Sequence, residues 1–405
     1  MSQAGDATEI SQPAVVTVQA LEADPHGVFR HHRAIGPVIQ RDDGSFIVLR
    51  ARDSELLLKD KRFCQPGAAF AKLRGINNGM LLALFDQTML TSNGAMHRNR
   101  RSPFTRAFAL RIILALRPSI RQAAHNLLDD WAGEEVDFVD HYAALLPAHL
   151  ISEMLGLAKA DIPHFTQCVY EVSRSLSFTF GPDDLPDIER AAQDLYSYVE
   201  RVLENRRRAP SDDFLSHFLA DVEAAGELSP LDVVIQVMTV IIGGTDTTRV
   251  AMAMLVGLLL EHPEQWQAVL QDHKLIPGAV KESLRFEPSV GSVSRMTTED
   301  VPVGNYLLPA GRYVTFSVMS AMRDEAIYQK PDTFDIRRGD HSRLHPVFGA
   351  GSHRCLGEAL ALAELEEGLA ALLDRFPQLR LVDGLPAVSG HAGIRRIGPM
   401  PVRWA

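Results

Sequence analysis

One cysteine lies in a glycine-rich loop just before a predicted helix. The stretch FGAGSHRCLGEALALAE covers residues 348–364 and places Cys355 two residues after His353. Its three glycines allow tight backbone turns and a close approach to a flat group, since no side chain holds that group away. A thiolate at a helix N-terminus has its pKa lowered from about 8.5 to roughly 3.5–7.5, because backbone N–H groups stabilise the negative charge. The loop therefore predicts that Cys355 is presented as a thiolate.

A long apolar helix is predicted in the middle of the chain. It begins with Ser229 as N-cap and Pro230 at the first helical position, and a His-Pro pair stops it after residue 261. Gly243 and Gly244 lie in its middle, although each helical glycine costs about 1 kcal/mol relative to alanine. Either a close helix crossing or the approach of a bulky group would explain the pair.

Polar residues accompany these glycines on one face of the helix. Helical spacing places Gln236, Thr239, Gly243 and Thr247 together, and Asp246 directly precedes Thr247. A threonine hydroxyl can bond the carbonyl four residues earlier, which opens a polar notch in the helix. An ordinary Asp-Thr pair at a helix crossing explains the same residues equally well.

In each of two pairs of charged or titratable residues, the two members are spaced so that they lie on one face of a helix. Glu282 and Arg285 are three residues apart, and His97 and Arg101 are four apart, so each pair shares a helix face. The first pair could form an ion pair, and the second could reach one anionic group. Each pair alone is more often a solvated helix surface.

Together these motifs resemble those of the cytochrome P450 superfamily of haem-thiolate monooxygenases, and of its soluble bacterial members in particular. FGAGSHRCLG is similar to the haem loop, GGTDT to the oxygen-activating helix segment and ESLR to the Glu-x-x-Arg pair. AMRDEAIYQKPDTFDIRR resembles the segment that completes that pair's network, with Arg338 as its third member. The motifs occur in the family's order, and the resemblance covers nearly the whole chain. It implies a mainly α fold, a single α-rich haem-thiolate domain over residues 1–405 with a minor β region.

The resemblance implies haem b, iron protoporphyrin IX, as cofactor and Cys355 as the axial ligand of its iron. A thiolate ligand pushes electron density onto iron and favours O–O cleavage. The haem propionates need cationic or donor partners, and nitrogen donors suit carboxylates. By resemblance, the propionate partners are His97, Arg101, Arg295 and His353, and the other haem contacts are Gly243, Phe348, Gly349 and Gly357.

The resemblance also assigns roles on the oxygen side of the haem. Thr247 would hydrogen-bond dioxygen and an ordered water, and Asp246 would gate protons from solvent. Glu282, Arg285 and Arg338 would form a buried ion network that fixes the cysteine loop.

The substrate is expected to be a small, mainly apolar organic molecule that dioxygen and two electrons hydroxylate. A terpenoid, a fatty acid and an aromatic compound are all open. Thr239 and nearby Gln236 could orient one polar group of it. The pocket residues implied by the resemblance are mostly apolar, namely Phe85, Phe178, Phe180, Thr239, Ile242, Val290, Gly291, Val293 and Ile397.

A basic stretch suggests where electrons enter. Seven arginines and no acidic residue occur from His97 to Arg121, in a chain with a formal net charge of −10. A solvated helix face is one explanation. The other is a docking surface for an acidic ferredoxin-type electron donor, served by its reductase and attracted by charge. Arg100 and Arg106 are expected to be exposed members of this surface.

Composition sets the remaining expectations. The net negative charge argues against a nucleic-acid-binding surface, and three widely spaced cysteines argue for a reducing compartment. We expect a cytoplasmic monomer without a signal peptide, because the N-terminus lacks an apolar region. No membrane span is expected either, because apolar runs such as VIQVMTVII are shorter than the roughly 20 residues that a span needs.

Two regions of the sequence predict β-strands. Asp43-Gly44 between β-branched runs predicts a hairpin, and residues 290–316 predict further strands with turns at Gly304 and at 309–311.

The alternatives to a monooxygenase are a haem-thiolate protein that binds or senses without turnover, and an inactive helical scaffold. The presence of Cys355, Asp246 and Thr247 argues against both.

Overall fold

The computed structural model describes residues 11–105, 108–177, 180–341 and 345–404. Helices dominate this part of the chain, and the predicted mainly α fold class with a minor β region is confirmed. The helices are α1 (Val18–Ala23), α2 (Pro25–Ile35), α3 (Ala51–Leu57), α4 (Ala68–Leu73), α5 (Gly79–Gln87), α6 (Gly94–Thr105), α7 (Leu110–Asp129), α8 (Leu145–Leu155), α9 (Ile162–Ser173), α10 (Leu185–Arg208), α11 (Phe214–Ala225), α12 (Pro230–Glu261), α13 (Pro263–Gln271), α14 (Ile276–Phe286), α15 (Val318–Ala321) and α16 (Glu358–Arg375).

The strands are short, and six of those described form one mixed sheet. They are β1 (Val15–Val16), β2 (Val38–Arg41), β3 (Phe46–Val48), β4 (Phe63–Cys64), β5 (Glu135–Asp137), β6 (Ser292–Thr297), β7 (Val301–Val303), β8 (Tyr306–Leu308), β9 (Tyr313–Ser317), β10 (Arg380–Leu381), β11 (Val388–Ser389), β12 (Arg396–Ile397) and β13 (Pro401–Arg403). The largest sheet has the order β1-β2-β3-β9-β6-β4, and a smaller one joins β10, β13 and β5.

Both predicted β regions are confirmed. Strands β2 and β3 pair antiparallel around the Asp43-Gly44 turn, where Gly44 has a φ of +83° that favours glycine. Strands β6 to β9 fill residues 292–317, with left-handed glycines at Gly304 and Gly311 between them. This sheet supplies Arg295 to the candidate site from its β6 strand.

The long helix α12 is the centre of the core. Ser229 caps it by accepting from the backbone N–H of Asp232, as predicted, and the helix runs unbroken through Gly243 and Gly244. By length and composition α12 could cross a membrane, so the apolar run is longer than the sequence interpretation allowed. However, 72% of its most apolar stretch is buried inside the protein, as expected of a core helix.

Helix α16, which follows the cysteine loop, packs along α7. Their apolar faces share the main buried cluster, and ion pairs join their outer edges. Arg117 bonds Glu366 and Glu367 at 2.8 and 2.7 Å, and Arg121 bonds Glu367 at 2.8 Å and Asp374 at 3.1 Å. The middle and the end of α16 are therefore held against α7, which contains the last part of the basic stretch.

Candidate active site

The cysteine loop is closed by hydrogen bonds to two backbone carbonyl groups, and these bonds hold Cys355 in place. The backbone N–H of Cys355 donates to the carbonyl oxygen of Phe348 at 2.8 Å, and the Arg354 guanidinium donates to the carbonyl oxygen of Gly349 at 2.9 Å. Gly349 has a φ of +71°, a conformation that a side chain would strain. Cys355 is a free thiol, and α16 begins three residues later with Gly357 as its N-cap.

The predicted low pKa of the Cys355 thiol is wrong for the protein chain alone. Burial raises that pKa, and the backbone N–H of Gly357 and the nearby arginines oppose this effect only in part. The side chain is nevertheless exposed on one side. Because a coordinating cation deprotonates a thiol outright, a metal is what would make Cys355 a thiolate here.

Four side chains with nitrogen donors meet beside the loop: His97, Arg101, Arg295 and His353. The rings of His97 and His353 lie 3.9 Å apart, and Arg101 donates to the carbonyl oxygen of Arg354 at 2.7 Å. Burial, together with the charges of His97, Arg295 and Arg101, lowers the pKa of His353 to about 3. Burial also lowers the pKa of Arg295 to about 10. The structure thus brings together all four residues predicted from separate parts of the sequence.

This donor cluster has no anion from the described chain. In residues 11–105, 108–177, 180–341 and 345–404, none of the four pairs with a carboxylate, and the buried Nε2 of His97 has no hydrogen-bond partner. Buried donors without partners are costly. A group with two carboxylates, as a haem carries, would satisfy them, and Cys355, a residue that could ligate its iron, lies on the same loop as His353. The donor set therefore fits a haem.

The adjacent glycines Gly243 and Gly244 of α12 are explained by different surroundings. A side-chain carbon built at Gly244 would lie 2.3 Å from Cδ1 of Ile151, so Gly244 allows α12 to cross α8 closely. A carbon built at Gly243 would meet no atom within 4 Å. Gly243 and Thr247, one turn later, form an accessible face on an otherwise buried helix, and Thr247 Oγ1 donates to the carbonyl oxygen of Gly243 at 3.0 Å. The predicted polar notch is present. The close helix crossing explains Gly244, and the open space at Gly243 leaves room for a bulky group.

Asp246 lies beside this notch but is held by a neighbour. Its Oδ1 accepts from Nε and Nη2 of Arg249 at 2.9 and 2.6 Å, and both side chains are largely buried. The Arg249 guanidinium also lies over the ring of Tyr170, 4.5 Å from its centre. Any movement of the Asp246 carboxylate must therefore break its bonds to Arg249, a residue that the sequence motif does not point to.

The Glu282 network links α14 to the chain that leads into the cysteine loop. Glu282 pairs with Arg285 at 2.7 Å and with Arg338 at 3.0 Å, and Arg285 also donates to three backbone carbonyls between residues 322 and 333. His345 bonds the carbonyl oxygen of Lys281 at 3.1 Å, one residue before the turn that starts the loop. This segment is therefore fixed to α14 before the loop begins.

A small apolar cavity lies between α5 and α12. Its volume is about 40 Å³, and none of the described residues that line it is charged. Three of its residues, Phe85, Thr239 and Ile242, were predicted for the substrate pocket. The full lining is Leu84, Phe85, Thr88, Leu90, Thr91, Leu176, Thr239 and Ile242.

Other residues predicted for the pocket are not among this lining. Phe178 lies outside the described residues. Gly291 packs on the backbone of His391, which a side chain there would meet at 2.6 Å. The Arg74 guanidinium covers the ring of Phe180. The remaining residues lie in or beside the sheets: Val290 bridges Ile394, Val293 is in β6 and Ile397 in β12.

Gln236 was expected to orient a polar group, and this expectation is wrong. Its Oε1 accepts from the backbone N–H of Met89 at 2.7 Å, and its Nε2 donates to the carbonyl oxygens of Gln87 and Asp232 at 2.8 and 3.1 Å. Both N–H donors and the carbonyl oxygen are engaged, and they tie α12 to the end of α5 and to the chain that follows it. Thr88, which the sequence did not suggest, lies beside Thr239 instead.

The basic stretch is less exposed than predicted. Arg100 is buried and paired with Asp232 at 2.7 Å, so it was wrongly expected at the surface. Arg117 and Arg121 are paired with α16, and Arg106 lies outside the described residues. Arg98 and Arg111 are exposed. They are the members of the basic stretch that could still form the predicted docking surface.

The chain is similar to proteins of one family. A family model described as Cytochrome P450 matches residues 158–384. Cytochrome P450-pinF1, plant-inducible, from Rhizobium radiobacter is 42% identical over 392 residues, which cover 96% of this chain and 93% of that protein. Nocardicin C N-oxygenase from Nocardia uniformis subsp. tsuyamanensis is 34% identical, with 89% of both chains covered. The crystal structure of CalO2 superposes with a TM-score of 0.87 at 29% identity, covering 95% of this chain and 97% of that one.

Proposed function

The chain belongs to the cytochrome P450 family, and from this membership we propose a specific enzyme: a cytoplasmic, monomeric haem b protein that hydroxylates a small apolar compound with dioxygen and two electrons from a ferredoxin. Its relatives show the coarser function, a haem-dependent monooxygenase with a redox partner and an organic substrate. We also propose that residues 1–405 form one domain. The observation that carries the proposal is Cys355 beside four donors that have no anionic partner among the described residues.

One group of residues would hold the haem, and a second group, on the opposite side of the site, would deliver protons. Cys355 would ligate the iron, and His97, Arg101, Arg295 and His353 would bind the propionates. When bound, a haem with a thiolate ligand supplies the activation of dioxygen. Phe348 and the loop glycines Gly349 and Gly357 would let the backbone lie against the ring.

On the other side, Gly243 leaves room on α12, and Thr247 presents its hydroxyl on that accessible face. We propose that Thr247 holds a hydrogen-bonded water and that Asp246 passes protons to it from solvent. Glu282, Arg285 and Arg338 hold the loop in place rather than act in the reaction. This division favours turnover over a binding or sensing role, because a passive haem protein needs no proton route.

Spectroscopy of cysteine variants tests the haem assignment. We expect the reduced carbon monoxide complex of the wild type to show a Soret band of the thiolate type, and Cys355→Ser to lose it. Cys168→Ser is the matched control, since Cys168 is a buried thiol elsewhere in the core, and it should keep the band. Survival of the band in Cys355→Ser would contradict the assignment.

A further inference from the structure

The cavity between α5 and α12 contains a pair of threonine hydroxyls in contact with each other. Oγ1 of Thr88 and Oγ1 of Thr239 are 2.7 Å apart, and both residues line the cavity. Both side chains are buried, with exposed fractions of 4% and 5%. The rest of the lining is apolar apart from Thr91, whose hydroxyl donates to the carbonyl oxygen of Phe85. A ligand here finds one polar point, the Thr88–Thr239 pair.

The surroundings of this pair fix where its protons are. Thr239 donates its only proton to the carbonyl oxygen of Ile235 at 2.7 Å, so it cannot also donate to Thr88. The Thr88 hydroxyl therefore donates to Thr239. Thr88 also accepts the backbone N–H of Leu90 at 3.2 Å. Both protons are used inside the protein.

The lone pairs are not all used. A hydroxyl oxygen can accept two hydrogen bonds. Thr88 accepts one from Leu90, and Thr239 accepts one from Thr88, which leaves each oxygen one free acceptor position. Gln236, one turn earlier on the same helix, has both of its N–H donors bonded to protein groups. The cavity thus offers acceptors and no free donor.

We infer that the Thr88–Thr239 pair is the specificity-determining anchor of the substrate pocket, and that it selects an apolar compound with a hydroxyl or N–H donor. This inference rests on the proposed function, since it concerns the substrate of the same site. A ligand that carries only a carbonyl or ether oxygen has no proton to donate, so it cannot hydrogen-bond to the free lone pairs of the two hydroxyls. To bond it, the pair would have to give up one of its own hydrogen bonds.

Binding of menthol and menthone to the ferric holoenzyme tests this inference. The two share one carbon skeleton, but menthol can donate a hydrogen bond and menthone can only accept one. We expect menthol to bind roughly 2- to 10-fold more tightly, the range that one net hydrogen bond allows. Affinity is measured by equilibrium dialysis and by haem spectral titration, so one readout does not depend on the haem.

Two variants separate the anchor from general packing. Thr239→Val removes the acceptor of the Thr88 proton and frees that proton for the ligand, so the preference should reverse toward menthone. Thr91→Val is the matched control, because its hydroxyl is bonded to Phe85, and it should change both affinities by the same factor. The double variant Thr88→Val with Thr239→Val should bind both ligands equally.

Three results would overturn the inference. They are equal affinities in the wild type, an unchanged ratio in Thr239→Val, and no measurable binding of either ligand. If the carbon monoxide complex keeps its thiolate band in these proteins, the proposed function stands and only the anchor is wrong. Loss of that band in the wild type would instead overturn the proposed function.

Discussion

At the scale of single residues, Thr247 and Asp246 are neighbours in sequence but differ in their surroundings. Thr247 is on the accessible face of α12, whereas Asp246 is buried and paired with Arg249. Their substitutions should therefore cause different defects.

We expect Thr247→Ala to keep substrate binding and electron consumption while diverting electrons into hydrogen peroxide, because the hydroxyl that positions the water is lost. Product formed per electron should fall. The measurement is a paired assay of product, peroxide and reductant consumed. Thr248→Ala, next in the chain and buried, is the control and should keep its coupling.

Asp246→Asn should instead slow turnover itself. Removing the carboxylate interrupts proton delivery, and groups of this kind typically contribute about a hundred- to ten-thousand-fold in rate. The same assay distinguishes the two defects, since coupling should be kept. Wild-type rate and coupling in both variants would mean that this segment serves only helix packing.

The sequence predicted the residues whose roles depend on a local motif. Cys355, Gly349 and Thr247 can be located because a glycine loop or a helical turn surrounds them. Arg100 and Gln236 could not be interpreted correctly, because their partners are distant: Asp232 lies 132 residues from Arg100, and Met89 lies 147 residues from Gln236. Thr88 carries no local signal either, since only the fold places it next to Thr239.

At the scale of elements, α16 contains a carboxyl group with no partner. Glu364 is 1% exposed, and neither of its oxygens has a hydrogen-bond partner in the described ranges of the chain. Burial raises its pKa well above the usual value. The side chain is therefore protonated in the folded protein under conditions where it is ionised in the unfolded chain.

This protonation predicts how stability depends on pH. Above the unfolded pKa, the folded state holds one more proton, so stability falls as pH rises, by up to about 1.4 kcal/mol per pH unit. Glu364→Gln removes the titrating carboxyl group. The free energy of unfolding of the variant, relative to that of the wild type, should therefore rise from pH 5 to pH 8. Urea unfolding of the holoenzyme across that range measures it.

The matched control for this comparison is Glu227→Gln, an exposed glutamate just before α12. It should leave the pH dependence unchanged. Parallel pH profiles for the wild type and Glu364→Gln would show that the Glu364 carboxyl is ionised and solvated, contrary to expectation.

Element types and ends were predictable where caps and turns are local. Ser229 and Pro230 locate the start of α12, and Asp43-Gly44 locates the β2–β3 turn. The sequence offered a close helix crossing as one explanation for Gly244, but it could not identify α8 as the partner, because Ile151 is far from Gly244 in the chain.

At the scale of the whole molecule, the overall charge is negative, but Arg98 and Arg111 keep exposed positive charge near the cysteine side. Several apolar side chains beside them are also exposed, namely Met96, Leu110, Ile112 and Leu114. Positive charge next to apolar surface suits an acidic protein partner.

We expect Arg98→Glu with Arg111→Glu to slow reduction by an acidic ferredoxin by about tenfold at low salt, because charge steers association by such factors. The salt dependence of the rate should also flatten. Arg190→Glu, an exposed arginine on α10, is the control. Stopped-flow reduction at several ionic strengths gives both quantities, and unchanged kinetics would indicate a solvated face.

The bond from Arg101 to the carbonyl of Arg354 spans 253 residues, and it sets the order of events during synthesis. At about 5–20 residues per second, a ribosome makes the second residue roughly 13–50 s after the first. For that time α6 and α7 exist without the loop and helix that they hold. The cysteine and its facing donors can bind a cofactor only after residue 355 has been made. Haem loading should therefore follow the synthesis of the cysteine loop, and a nascent chain stalled before residue 348 should take up none.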